Sequence, residues 1–179
     1  MKTRDIVYIG IFAALITICS WISIPMTVPF TLQTFAVFLA VLLLGGRRGV
    51  ISVLIYILLG IVGVPVFSGF RGGPGVLLGP TGGYILGFVA TALIMWAFEK
   101  IKTEHKTLIP VISMLLGLLA CYAFGTAWFS VIYNNGTDTP ASVPMILGWC
   151  VIPFIIPDLI KILLAFLISR NPALRKVLS

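Results

Sequence analysis

The chain has 179 residues, of which 60% are hydrophobic and only 9% are charged, and its net charge is +7. A soluble domain carries about 25% charged residues, so this composition indicates an integral membrane protein and excludes an ordinary water-soluble domain. The basic excess does not indicate nucleic-acid binding, because it is confined to alternate loops, as the positive-inside rule requires.

Six apolar segments are candidates for membrane-spanning helices. A spanning helix needs roughly 20 residues, so six of them leave only short loops in a chain of 179 residues. We therefore expect an all-α integral membrane protein, a bundle of six transmembrane helices forming a single domain over residues 1–179. The approximate spans are 6–24, 33–46, 49–65, 83–99, 108–133 and 145–168.

The first span has basic residues before it and resembles a signal peptide. It is long, however, contains Trp21 and Pro25 and has no clean cleavage site of small residues after it. We expect it to be retained as the first helix. With the N-terminus inside, both termini are cytoplasmic and the outer loops hold only Arg71 and Asp138 as charges. The basic residues placed inside are Lys2, Arg4, Arg47, Arg48, Lys100, Lys102, Lys106, Arg170, Arg175 and Lys176.

The first helix carries small residues at Gly10, Ala13 and Ala14. Such a face lets another helix approach closely. It is explained either by packing inside the bundle or by docking to another membrane subunit, and the sequence leaves both open.

The most unusual stretch is residues 60–88, which lies between the third and fourth spans on the outer side. It holds ten of the eighteen glycines of the chain. Non-helical backbone within the membrane is tolerated only where it is buried in protein or lines a water-filled cavity, because lipid cannot satisfy its hydrogen bonds. We therefore expect this loop to fold back over the bundle and to line or cap a pocket, the alternative being a flexible outer loop.

Nothing in the sequence indicates a metal or nucleotide site. Cys19, Cys121 and Cys150 lack CxxC spacing and are interpreted as packing residues. His105 is the single histidine. No GxxxxGK[ST] motif is present, so nucleotide hydrolysis is not expected.

Asp158 and Lys161 are charged residues within the otherwise apolar last span. Charges inside a membrane are costly, so they usually pair, face a cavity and have a function. Their spacing of three places both on one helix face, where they can neutralise each other or hold a polar ligand. Pro157, if it lies in the first turn of a broken helix, would place Asp158 near a helix N-terminus.

These motifs together resemble the BioY family, the biotin-specific S components of energy-coupling-factor (ECF) vitamin transporters. The matching segments are Gly63-Val-Pro-Val-Phe-Ser-Gly69, Gly79-Pro-Thr-Gly-Gly-Tyr-Ile-Leu-Gly-Phe88 and Pro157-Asp-Leu-Ile-Lys161, in this order. The resemblance covers essentially the whole chain. It is weakest around Arg71.

The resemblance implies a substrate-binding subunit in the plasma membrane of a bacterium rather than an enzyme. It implies capture of biotin from outside with high affinity, and delivery with a membrane T component and two cytoplasmic ATPase subunits. Biotin is then the transported ligand, and no cofactor or metal is expected. The residues that map to the T-component docking surface are Gly10, Ala13 and Ala14.

Biotin offers ureido N–H donors, a ureido oxygen, apolar rings and chain, and a carboxylate. We expect Asp158 to accept from the ureido N–H groups and Lys161 to donate to the ureido oxygen. Arg71 is the expected cation for the carboxylate, and the reverse pose with Lys161 on the carboxylate stays open. The further candidates are Gln33 and Ser68 for hydrogen bonds, and Phe30, Phe67, Tyr84 and Trp128 around the apolar parts.

Other interpretations remain at this point. The chain is alternatively an S component for another vitamin, such as thiamine or riboflavin, or an intramembrane enzyme with Asp158 and Lys161 as acid and base. A pure assembly or structural membrane protein is a further alternative. Separately, the two charges can be an ion pair that clamps the last helix, with or without a ligand.

Overall fold

The computed structural model of the chain describes residues 2–101 and 107–174. Within those ranges the chain is mostly helical, as its composition predicts. Part of the predicted cytoplasmic charge pattern lies outside the described residues, namely Lys102, Lys106, Arg175 and Lys176, as does His105.

Helices follow one another with short connections. The described helices are α1 (Thr3–Trp21), α2 (Gln33–Leu44), α3 (Gly46–Ile61), α4 (Pro74–Leu78), α5 (Gly82–Glu99), α6 (Leu108–Asn135), α7 (Val143–Cys150) and α8 (Ile155–Ser169). A 3-10 turn at Ile152–Phe154 separates α7 from α8. Two short antiparallel strands, β1 (Ser23–Ile24) and β2 (Phe30–Thr31), connect α1 to α2.

Four segments of the described residues are long and apolar enough to cross a membrane: Thr3–Trp21, Gly82–Glu99, Leu108–Asn135 and Val143–Ser169. The helix α2 has 12 residues and α3 has 16. At 1.5 Å per residue they are about 18 and 24 Å long, shorter than a hydrocarbon core of about 30 Å. The structure supports a helical membrane protein, and the count of six spans stays a prediction.

The helix α2 lies at the centre of the bundle. Residues 36–41 are all buried, as expected for a helix that is apolar on every side. It contacts α1, α3, α5, α6 and α8. The first turn of α2 therefore brings Gln33 and Thr34 to the interior of the bundle, next to α8.

Glycines let α5 and α6 pack closely along their length. A Cβ atom at Gly83 would lie 2.3 Å from the Cβ of Trp128, and one at Gly125 would lie 2.3 Å from the ring of Tyr84. Small residues serve this purpose at helix interfaces in membranes. The Tyr84 hydroxyl also hydrogen-bonds Oγ1 of Thr126 at 2.8 Å, so this ring is held in a fixed place on the inner face of α5.

Candidate ligand-binding site

A buried ion pair lies at the start of α8. Nζ of Lys161 is 2.7 Å from Oδ1 of Asp158, and the two side chains are only 5% and 3% exposed. Asp158 lies in the first turn of α8, where the positive end of the helix dipole favours a carboxylate. Both residues line a cavity. The pair is therefore not sealed beneath packed aliphatic side chains, which would have excluded a role in ligand binding.

Asp158 is held from two further helices. Oγ1 of Thr34 on α2 donates to its Oδ1 over 3.2 Å, and the hydroxyl of Tyr122 on α6 donates to its Oδ2. With Lys161, three donors converge on one carboxylate. A carboxylate offers about four acceptor positions, so acceptor capacity remains for one further donor.

Lys161 is also bound on more than one side. Its ammonium donates to the backbone oxygen of Thr31 over 2.6 Å and to Asp158. The same Nζ lies 4.2 Å from the ring centroid of Phe30, a cation–π distance. Two of the three N–H groups of this ammonium thus have oxygen acceptors, and the third has none among the described residues.

Gln33 lies beside the pair but is largely used within the protein. Its Oε1 accepts from Oγ1 of Thr31 over 2.8 Å, and its Nε2 donates to the hydroxyl of Tyr56. Among the described residues, the second N–H of this amide has no acceptor. Gln33 therefore has one donor that it can offer to the cavity.

The α3–α4 loop lines one side of the cavity through Phe67, Ser68 and Arg71. Phe67 and Arg71 exchange backbone hydrogen bonds of 2.9 and 3.3 Å across a tight turn. Within that turn Phe70 adopts a positive φ of 56° and stacks on Trp21 at 4.9 Å. The indole N–H of Trp21 also donates to the Pro65 oxygen over 2.9 Å. The loop is thus attached to the end of α1.

Arg71 lies exposed on this turn and lines the cavity. Its Nε donates to the backbone oxygen of Ser68 over 3.1 Å. No carboxylate of the described residues lies within ion-pair distance of its guanidinium. Its remaining N–H groups are available to an anionic ligand.

The cavity has the character of a small-molecule site. Its space, including the open mouth, is about 680 Å³. Much of the wall is apolar, with Val76, Ile85, Phe88 and Phe154 among the lining residues. Converging polar groups in a largely apolar cavity suit a ligand that has polar ends and an apolar body.

Comparison with known proteins identifies the family. The family model of the BioY family matches residues 1–179, the whole chain. The chain belongs to the BioY family.

Similar proteins agree with this membership. The biotin transporter BioY of Thermotoga maritima is 40% identical over 167 residues, which cover 93% of this chain and 94% of the relative. The biotin transporter BioY of Rhodobacter capsulatus is 35% identical over 179 residues, covering 95% and 93%. The crystal structure of the S-component for biotin from an ECF-type ABC transporter superposes with a TM-score of 0.83 at 30% identity, covering 98% of this chain and 95% of that chain.

Most of the site residues predicted from the BioY resemblance are brought together. Those that line the cavity are Asp158, Lys161, Arg71, Tyr84, Gln33, Ser68 and Phe67. Phe30 does not belong to the lining but stacks on Phe154 at 6.3 Å and covers Lys161. Contact of any of these residues with biotin stays a prediction.

Trp128 is held outside the cavity lining in this structure, and its contact with a ligand stays a prediction. It is not among the residues that line the cavity. Its indole N–H donates to the backbone oxygen of Gly79 over 3.0 Å, so the side chain supports the turn before α5. Trp128 therefore shapes the site through the backbone and does not form its wall.

The sequence did not point to the groups that hold the ion pair. Tyr122, Thr34 and the carbonyl of Thr31 are its direct partners. Cys121 and Cys150, interpreted as packing residues, also line the cavity. One signal was available for Tyr122, since it lies four residues before Thr126 and both are polar positions on one face of an apolar helix.

The small-residue face of α1 is narrower than predicted. Gly10 and Ala14 are exposed, and a Cβ atom at Gly10 would meet nothing within 4 Å. Ala13 is only 2% exposed and packs in the core. It faces the inside of the bundle because it is one residue, or about 100° of helix, away from Ala14. An exposed docking face on α1 would therefore comprise Gly10 and Ala14.

Proposed function

We propose that this chain is the high-affinity biotin-binding subunit, the S component, of an ECF-type vitamin importer. The observation that carries the proposal is the Asp158–Lys161 pair, buried yet lining a cavity of about 680 Å³. It is supported by relatives that are named as biotin transporters and by the likeness to the S-component for biotin. These relatives are named as transporters and not as enzymes, so the intramembrane enzyme is set aside.

The polar groups of the cavity match those of biotin. The free acceptor position of Asp158 suits a ureido N–H, and the third N–H of Lys161 suits the ureido oxygen. Arg71 at the mouth suits the carboxylate through a forked contact. The apolar rings and chain of biotin then lie between Phe67, Tyr84 and the neighbouring apolar wall. Comparison of biotin with its neutral methyl ester, in wild type and Arg71→Ala, distinguishes the reverse pose with Lys161 on the carboxylate.

The chain forms one transmembrane domain in the plasma membrane of a bacterium, with six spans and both termini in the cytoplasm. In this arrangement the cavity opens outward beneath the α3–α4 loop. Lys2, Arg47 and Lys100 then lie on the cytoplasmic side, as the positive-inside rule requires. Labelling of single cysteines introduced at residue 71 and at residue 47 with a membrane-impermeant maleimide, in a background lacking the three native cysteines, tests this topology.

The energy for transport comes from other subunits, a membrane T component and two cytoplasmic ATPases. The chain itself has no phosphate-loop motif. We propose Gly10 and Ala14 as part of the surface that meets the T component, because small exposed residues let a partner helix approach. Replacing both with Leu should abolish co-purification with the T component and leave biotin binding by the isolated chain intact.

Equilibrium binding of labelled biotin to the purified chain in detergent tests the proposed function. Saturable binding that unlabelled biotin displaces, and that thiamine and riboflavin do not displace, is expected. Displacement by one of the other vitamins in preference to biotin would assign the chain to that vitamin. Absence of any binding would contradict an S component altogether.

A further inference from the structure

A second cavity lies at the opposite end of the bundle, where α1 begins, α2 meets α3 and α5 ends. Its space, including the open mouth, is about 1400 Å³. It shares no lining residue with the biotin cavity. The proposed function gives it no role.

The walls of this cavity carry an excess of positive charge. The basic residues of the lining are Lys2, Arg4, Arg47 and Arg48. Its acidic residues are Asp5 and Glu99, and both are bound within the protein. Asp5 pairs with Nη1 of Arg48 at 3.0 Å, and Oε2 of Glu99 accepts the backbone N–H of Gly46 over 2.6 Å. The lining thus has a formal charge of +2, since four basic and two acidic side chains contribute to it.

Arg47 is one cation of this lining that has no acidic partner among the described residues. It is exposed, and its guanidinium forms no hydrogen bond or ion pair with any residue in the described part of the chain. A guanidinium carries five donors in a planar fork that matches the oxygens of a phosphate. The cavity therefore has donor capacity for an anion with several oxygens.

The floor of the cavity is apolar. Leu44, Ile51 and Trp96 belong to the lining together with the basic residues, and all three are buried or half-buried. Basic pockets between helices on the cytoplasmic side of membrane proteins suit anionic headgroups, because that leaflet carries the negative lipids. We propose that this cavity binds a phosphate group, and that its occupant is the headgroup of an anionic phospholipid whose upper acyl chain contacts the apolar floor.

The test uses the purified full chain incubated with phosphatidylglycerol or phosphatidylcholine in detergent, with retained lipid quantified by native mass spectrometry. The wild type should retain phosphatidylglycerol in preference to phosphatidylcholine. Arg47→Gln should lower phosphatidylglycerol retention about fivefold, the effect expected for one basic residue near a membrane surface. Arg170→Gln is the matched control, because it removes one positive charge near the end of α8, outside this cavity.

A parallel arm with millimolar inorganic phosphate separates the two sources of a phosphate group. Selectivity for phosphatidylglycerol that depends on Arg47 assigns the lipid as the occupant. Protection of the protein against unfolding by inorganic phosphate, without lipid selectivity, assigns a soluble phosphate. Both results support a phosphate site. Equal retention by Arg47→Gln and wild type, or equal losses in Arg47→Gln and Arg170→Gln, would overturn it. Biotin binding is measured in the same samples, so failure here is distinguishable from failure of the proposed function.

Discussion

Two ion pairs of similar length lie at opposite ends of this molecule, in very different surroundings. Lys161 and Asp158 are 2.7 Å apart with side chains 5% and 3% exposed, whereas Arg48 and Asp5 are 3.0 Å apart with side chains 29% and 22% exposed. Water stabilises the exposed charges whether or not they pair, and nothing but the protein stabilises the buried ones. The two pairs differ in burial and hardly in distance. We therefore expect the fold and the ligand site to depend on the buried Lys161–Asp158 pair more than on the exposed Arg48–Asp5 pair.

The largest effect is expected for Asp158→Asn. This change leaves the ammonium of Lys161 buried without its counter-charge, which typically destabilises a protein by about 3–5 kcal/mol. It also removes the proposed acceptor for the ureido N–H groups. We expect a lower midpoint of thermal unfolding in detergent and biotin affinity weakened by tenfold or more, since a lost hydrogen bond to a charged group is worth about 1.5–3 kcal/mol.

A double variant separates the structural role of the pair from its role in binding. Asp158→Asn combined with Lys161→Met removes both charges, so that no buried charge is left without its counter-charge, which is the main cost of breaking a buried ion pair. We expect the unfolding midpoint to recover while biotin binding stays lost. Recovery of both would show that the pair only clamps α8.

Tyr122→Phe tests the support of Asp158 from α6. The phenol donates to Oδ2 of the buried carboxylate, and a hydrogen bond to a charged group contributes about 1.5–3 kcal/mol. We expect a loss of stability in this range, measured by unfolding of the empty protein in detergent. Tyr133→Phe is the matched control, because the Tyr133 ring stacks on Phe129 while its hydroxyl has no hydrogen bond within the described residues. Equal losses in both variants would remove Tyr122 from the support of the pair.

Arg71→Ala tests which cation binds the biotin carboxylate. Wild-type protein should bind biotin about tenfold or more tightly than its neutral methyl ester, because a charge-assisted hydrogen bond contributes about 1.5–3 kcal/mol. Arg71→Ala should lose this preference by binding the acid less well and the ester as before. Arg170→Ala, which removes a positive charge outside the cavity, should keep the preference. A preference that persists in Arg71→Ala would favour the reverse pose on Lys161.

Two of the apolar segments coincide with long helices. The segments 83–99 and 108–133 overlap Gly82–Glu99 and Leu108–Asn135, because Gly, Pro and charged residues bound these apolar runs, and that these helices span the membrane stays a prediction. The break between α7 and α8 was anticipated only through the position of Pro157. The strands β1 and β2 and the short α4 were not predicted, since segments of two to five residues depend on tertiary contacts more than on local pattern.

The candidate site was predictable where its chemistry is rare. Asp158 and Lys161 are conspicuous because ionisable residues are uncommon inside apolar spans. Tyr122 was missed because its partnership with Asp158 depends on how α6 is rotated toward α8, which no single helix specifies. The hydrogen bond of Trp128 to the Gly79 oxygen was missed for the same reason. One aromatic position on α6 faces the cavity and another faces the turn before α5, and only the packed bundle distinguishes them.

The smallest effect is expected for Asp5→Asn, which makes at the exposed end the same chemical change as Asp158→Asn. The Arg48 guanidinium that it leaves unpaired still donates to the Leu44 oxygen over 2.6 Å, and water solvates the rest. We expect the unfolding midpoint and biotin affinity to match the wild type, and any small difference to disappear at high salt, because salt screens exposed charges. A loss of stability comparable to that of Asp158→Asn would contradict the rule that burial separates the two pairs. It would mean that the cavity at the start of α1 depends on its internal carboxylate as strongly as the cavity lined by Asp158 does.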